Sequence, residues 1–169
     1  MQTELADFIR DTQQGREADA ILRKCVHCGF CNATCPTYQL LGDELDGPRG
    51  RIYLIKQVLE GELAGAATQL HLDRCLTCRA CETTCPSGVE YGRLADIGRA
   101  VVENQVGRSL LQQAMRRAMA FALSRRRLFA ALLALGRLAK PLLPRALAAK
   151  LPAHMPPRSQ ASVAWPAPR

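Results

Sequence analysis

The chain of 169 residues is 48% hydrophobic, 22% charged and 5% aromatic, the make-up of a folded domain, which excludes a disordered or fibrous protein. A chain this long builds a core without disulfide staples, so its eight cysteines need another explanation. The net charge of +8 is unevenly placed: residues 1–100 carry 11 Lys and Arg against 14 Asp and Glu, whereas residues 101–169 carry 12 against Glu103 alone.

The opening Met1-Gln2-Thr3-Glu4-Leu5 lacks the basic and apolar regions of a secretory signal, so a cytoplasmic location with reduced cysteines is expected. Apolar residues then follow helical spacing, first Leu5, Phe8 and Ile9, then Ile21 and Leu22. Asp46-Gly47-Pro48 reads as a turn and helix start, and Ile52, Ile55, Val58 and Leu59 give the apolar face of a helix over about 48–60 that Gly61 can end. Ser87, three residues before Glu90, predicts a capping box, followed by a helix with Leu94, Ile97, Val101 and Val102 on one face to about residue 105. From Ser109 to about Lys150 the chain is rich in Leu, Ala and Arg on helical spacing, interrupted by Pro141 and Pro144, with Met115 and Met119 read as packing residues. Pro152–Arg169 holds five prolines and reads as a tail or linker. Strand signals are scarce, and the longest apolar run, Leu128–Leu135, is eight residues, against the roughly 18 to 20 of a membrane span. The expected organisation is a mainly α protein: a cysteine-bearing helical domain over 1–106, a basic amphipathic extension over 107–151 and a tail over 152–169.

The strongest signal is an internal repeat. Cys25, Cys28, Cys31, Cys35 and Pro36 recur fifty residues on as Cys75, Cys78, Cys81, Cys85 and Pro86, and all eight cysteines belong to it. C-x2-C-x2-C-x3-C-P is the bacterial ferredoxin run: three closely spaced thiolates hold three corners of a 4Fe-4S cube, and the fourth cysteine ligates the other cluster. Two 4Fe-4S clusters follow, one on Cys25, Cys28, Cys31 and Cys85, the other on Cys75, Cys78, Cys81 and Cys35. Pro36 and Pro86 turn the chain away after the fourth ligand, while Gly29 and Ala80 keep the loops small. A zinc site of four thiolates leaves the third cysteine and the Cys-Pro pair unexplained, and disulfides fit neither the tight spacing nor the missing signal peptide.

Other residues near the motifs carry less. His27 reads as a loop residue, because four cysteines already satisfy a cluster, and His71 and His154 are weaker still. Arg49, Arg51, Arg74 and Arg79 either offset cluster charge or are solvated surface arginines. No dinucleotide or nucleoside triphosphate fingerprint and no catalytic triad is present, so the chain carries electrons and converts no substrate itself. Aromatic stacking residues are few around Arg116, Arg117 and Arg125-Arg126-Arg127, so no specific nucleic acid is expected. The basic helices suit either packing on partner subunits or contact with anionic lipid.

Cys25-Val26-His27-Cys28-Gly29-Phe30-Cys31, the stretch from Cys35-Pro36-Thr37-Tyr38 through Gly42-Asp43-Glu44-Leu45-Asp46-Gly47-Pro48-Arg49-Gly50-Arg51, Leu72-Asp73-Arg74-Cys75-Leu76-Thr77-Cys78 and Cys81-Glu82-Thr83-Thr84-Cys85-Pro86-Ser87-Gly88-Val89 resemble the iron-sulfur subunits of bacterial glycolate oxidase. The resemblance is specific over about 17–106 and looser to about 152; subunits of anaerobic glycerol-3-phosphate dehydrogenase, lactate-utilisation systems and heterodisulfide reductase share the cysteine runs. It implies an α-helical ferredoxin domain within an oxidoreductase complex, in which flavin subunits oxidise glycolate to glyoxylate and this subunit passes the electrons toward a membrane quinone. Peripheral contact with the inner membrane and the quinone pool is implied as well. The family continues into a C-terminal portion with two cysteine-rich repeats that these residues lack, so a truncated product without that portion is expected. Another flavin dehydrogenase subunit and a free-standing dicluster ferredoxin are the alternatives.

Overall fold

The computed structural model describes residues 1–142. The chain divides into two compact units, Met1–Arg108 and Ser109–Arg169. No strand occurs among the described residues. In the first unit, α1 (Asp7–Arg10) and α2 (Gln13–Lys24) are separated at Thr12, whose hydroxyl donates to the Ile9 carbonyl at 2.7 Å and accepts the Gly15 amide at 2.9 Å. That cap satisfies an orphan donor and starts the second helix, which buries Ala18, Ile21 and Leu22. A 3-10 turn (Phe30–Thr34) leads into α3 (Pro36–Leu41), which begins on a proline and stops at Gly42, a left-handed residue with φ 67°. After a second 3-10 turn (Glu44–Asp46) come α4 (Pro48–Leu59), α5 (Ala66–Asp73), α6 (Ala80–Thr84) and α7 (Tyr91–Gln105).

The core lies where α4 crosses α7. Ile52, Ile55, Val58 and Leu59 share one buried cluster with Leu94, Ala95, Ile97 and Val102, sealed by Leu22 and Leu72. Gly98 permits the crossing, since a Cβ there would lie 2.6 Å from Ile55 Cγ1. The two cysteine loops hang on this pair of helices.

The capping box predicted at Ser87 and Glu90 does not form. The helix starts at Tyr91, Glu90 pairs instead with Lys24 at 3.0 Å, and the carboxylate of Glu82 accepts the Gly92 amide at 2.6 Å. The reason is Val89: the chain turns through Gly88 (φ 61°) to bury that side chain, which delays the helix beyond the reach of Ser87.

In the second unit, Ser109 caps α8 (Leu110–Ser124) by accepting the Gln112 amide at 3.3 Å, and α9 (Arg126–Leu138) packs against it before a 3-10 turn (Lys140–Leu142). The break falls at Arg125, whose guanidinium sits 3.5 Å over the ring of Phe121. Neither helix buries a residue, and Met115 and Met119, expected to pack, are more than half exposed. No helix of the described residues is long and apolar enough to cross a membrane. The expectations for Pro144, His154, the end of the basic extension and the Pro-rich tail lie outside the described residues.

Candidate metal centre

Two cavities open beside the cysteine loops. One is lined by Cys25, Cys28, Cys31, Cys81 and Cys85, with Gly29, Arg49, Ile52 and Val89. The other is lined by Cys35, Cys75, Cys78 and Cys81, with Thr37, Arg51 and Arg79. Pro48, Cys81 and Tyr91 border both, so one layer of side chains separates them. Three cysteines of one repeat thus meet the fourth of the other in each cavity. None of the eight forms a disulfide; Cys25, Cys35 and Cys81 are buried, and Cys28 and Cys78 are exposed.

The loops reach this arrangement through matched backbone conformations. His27 (φ 58°) and Gly29 (φ 86°) flank Cys28, and Thr77 (φ 57°) and Arg79 (φ 59°) flank Cys78. Left-handed residues on both sides of the middle cysteine wrap the chain around a concavity, the kind of backbone that cradles anionic groups. Gly29 adopts this freely, whereas each of the three others costs about 1–3 kcal/mol that its surroundings must hold. His27 is held by Nε2 against the Arg49 carbonyl at 3.2 Å and by stacking on Tyr53 at 6.1 Å. Thr77 is held by Arg99, which donates to its hydroxyl at 3.1 Å, to the Leu72 carbonyl at 2.8 Å and to the Cys75 carbonyl at 2.7 Å. The equivalent Thr34 and Thr84 touch, hydroxyl to hydroxyl, at 3.3 Å and tie the two repeats together.

Burial, with the neighbouring Cys25, Cys85 and Cys28 adding to it, pushes the Cys31 thiol up to about 11. Burial, with Cys31, Cys75 and Glu82 adding to it, pushes Cys81 up to about 12. Several thiolates crowded into one cavity are unfavourable unless a cation neutralises them, so the donor set fits an iron centre. Donors to sulfur are already placed: the Val89 amide lies 3.5 Å from Cys85, the Tyr91 hydroxyl 3.6 Å from Cys75 and Arg51 Nη1 4.0 Å from Cys35. Burial holds the Tyr91 hydroxyl well above its usual range, so it stays a donor at neutral pH.

Arg51 is no surface arginine. Its side chain is 1% exposed and faces the fully buried Asp46, which also accepts His71 Nδ1 at 3.0 Å and Arg74 Nη1 at 2.8 Å. Arg51 reaches the Thr37 hydroxyl at 3.1 Å as well, and that hydroxyl lies 3.2 Å from Cys35 Sγ. Asp46, Thr37, Tyr91, Glu82 and Arg99 were invisible as site residues in sequence, because each bears on the cysteines only through the fold.

A 4Fe-4S dicluster domain matches residues 21–89. The chain carries two 4Fe-4S clusters, and its fold is mainly α-helical. It is 60% identical over 154 residues to the glycolate oxidase iron-sulfur subunit of Escherichia coli K12, a match covering 91% of this chain and 38% of that protein. It is 35% identical over 111 residues to the probable glycolate oxidase iron-sulfur subunit of Bacillus subtilis 168, covering 64% of this chain and 25% of that one. The chain therefore spans well under half the length of these curated relatives. No solved structure matches it.

Proposed function

We propose that this chain is the electron-transfer portion of a glycolate-oxidising complex, taking electrons from a flavin subunit and passing them toward a quinone-type acceptor. The observation that carries the reading is a pair of neighbouring cavities, one lined by Cys25, Cys28, Cys31, Cys81 and Cys85 and the other by Cys35, Cys75, Cys78 and Cys81, on a chain 60% identical to a glycolate oxidase iron-sulfur subunit. In this reading Cys25, Cys28, Cys31 and Cys85 hold one cluster and Cys75, Cys78, Cys81 and Cys35 the other. Bound clusters supply one-electron storage and transfer. The chain's own residues do the rest: Ile52, Val89 and Tyr91 wall the sites with buried side chains that exclude water, and Tyr91 and Arg51 direct donors at cysteine sulfur. No residue here binds glycolate; that step belongs to flavin-containing partner subunits.

The organisation we propose is a cluster domain over 1–106, a basic extension over 107–151 and a tail over 152–169. Residues 109–142 hold six arginines and a lysine with no acidic residue, alongside exposed Leu111, Leu132 and Leu135. That pairing of cations with apolar side chains favours peripheral contact with the acidic cytoplasmic face of the inner membrane, near the quinone pool.

The test is anaerobic mixing of the full chain with the flavin subunits and glycolate, read by EPR. Reduced 4Fe-4S signals that need both glycolate and the flavin subunits support the reading. Clusters that stay oxidised there, yet are reduced through a glycerol-3-phosphate or lactate flavoprotein, transfer the chain to another dehydrogenase. Flotation with anionic vesicles at low salt tests the extension, and failure to float removes the membrane contact.

A further inference from the structure

The two cavities are alike in their cysteines and unlike in what surrounds them. At the second, three side chains address sulfur: Arg51 Nη1 at 4.0 Å and the Thr37 hydroxyl at 3.2 Å from Cys35, and the Tyr91 hydroxyl at 3.6 Å from Cys75. Arg51 presses the Thr37 oxygen from behind at 3.1 Å, and the Thr37 proton goes to the Asp46 carbonyl at 2.8 Å, so the guanidinium is the group whose charge faces the site. At the first, among the described residues, the Val89 backbone amide addresses Cys85 at 3.5 Å, and Cys31 Sγ faces an acceptor, Asn32 Oδ1, at 3.9 Å.

Fixed charge is distributed the same way. Arg51 is buried at the second cavity, Arg79 lines it, and Arg74 and Arg99 hold the segment leading into it; the opposing carboxylates include Asp46, with Asp43 beside it, and Glu82. At the first, Arg49 is neutralised by Glu44 at 2.5 Å and Lys24 by Glu90 at 3.0 Å, both pairs on the surface, where water screens them. Another cation near that cavity, the amino group of Met1, binds the Cys25 carbonyl at 2.6 Å rather than sulfur. Donors to sulfur and nearby positive charge both favour the reduced, more negative cluster and raise its potential.

We propose that the two clusters are redox-inequivalent, the one on Cys35, Cys75, Cys78 and Cys81 having the higher reduction potential, with Arg51 and Tyr91 as the residues that set it. This rests on the ligand sets proposed above. The inequality gives the pair a direction: the first electron to arrive settles beside Arg51, and the site beside Val89 fills second.

The experiment is an EPR-monitored potentiometric titration of the anaerobically purified full chain, with iron counted on the same sample. The unmodified chain should show two separate one-electron waves. Tyr91→Phe keeps the buried ring and removes only the hydroxyl donor, and it should move the upper wave to lower potential while leaving the lower wave in place. Arg51→Lys, which keeps the charge and loses the fork, should move the same wave in the same direction. Two coincident waves, a shift confined to the lower wave, or no shift in Tyr91→Phe with both clusters present overturns the proposal. About four irons per chain in the unmodified protein overturns the dicluster reading itself, and the iron count separates that failure from the others.

Discussion

Replacing Asp46 by Asn tests whether the buried ion cluster beside the second cavity holds the fold. The carboxylate is fully buried and faces Arg51 Nη2 at 3.5 Å, His71 Nδ1 at 3.0 Å and Arg74 Nη1 at 2.8 Å. Asparagine keeps the shape but removes the charge and can turn an amide donor toward a guanidinium. Arg74 is 41% exposed and can turn to water, whereas Arg51 is 1% exposed and cannot, so the cost falls on one buried, unpaired cation. Breaking such a pair from one side costs about 3–5 kcal/mol, and the partners left to Arg51, the Thr37 hydroxyl and the His71 carbonyl, place this case near the lower end. At about 4–8 °C per kcal/mol for a domain near 100 residues, the melting temperature of the cluster-loaded chain should fall by roughly 12 °C or more. Circular dichroism under anaerobic conditions at a fixed scan rate measures it. A fall below about 4 °C would refute the reasoning, and so would an Asp46→Asn, Arg51→Met double variant less stable than the single one, because removing both charges relieves the unpaired cation.

Burial pushes the Asp46 carboxyl up, but hydrogen bonds from His71 and Arg74 outweigh it and hold the group below its ordinary value. A depressed carboxyl stabilises the fold above its unfolded pKa of about 3.9, and that stability is lost as pH falls through the lower folded value. Acid unfolding followed by fluorescence should therefore be steeper in the unmodified chain than in Asp46→Asn; identical acid profiles would contradict this. Ile55→Ala empties a fully buried position against Gly98 and should cost about 2–5 kcal/mol in denaturant unfolding. Glu82→Ala removes the cap on α7 and should cost about 1 kcal/mol, with faster hydrogen exchange at Gly92 as the local sign; unchanged exchange there would place the cap elsewhere.

The regular parts of the fold were legible because burial and periodicity coincide in them. The helix expected at about 48–60 is Pro48–Leu59, started by a proline and followed by Gly61 at φ 105°. The eight cysteines were legible from spacing alone, because the repeat is itself the chemistry. What escaped notice depends on contacts distant in sequence. Ser87 and Glu90 satisfy the local pattern for a cap, but the demand to bury Val89 outweighs it and a carboxylate from the preceding motif takes over. The helix Ala66–Asp73 offers only Leu72 to the core, too little for a periodic signal. Sequence left Arg51 open between offsetting cluster charge and a solvated surface position, because nothing local indicates that Asp46 is buried beside it. Gly29 and Arg79 occupy equivalent positions of the two loops, and both lie in the left-handed region although only one is glycine.

Interleaved ligation is the central claim, and EPR of four single-cysteine variants tests it most directly. Cys25→Ala and Cys85→Ala should each lose the same cluster and leave the same surviving spectrum, and Cys75→Ala and Cys35→Ala should leave the other. If Cys85→Ala instead matches Cys75→Ala, each motif ligates its own cluster and the account is wrong.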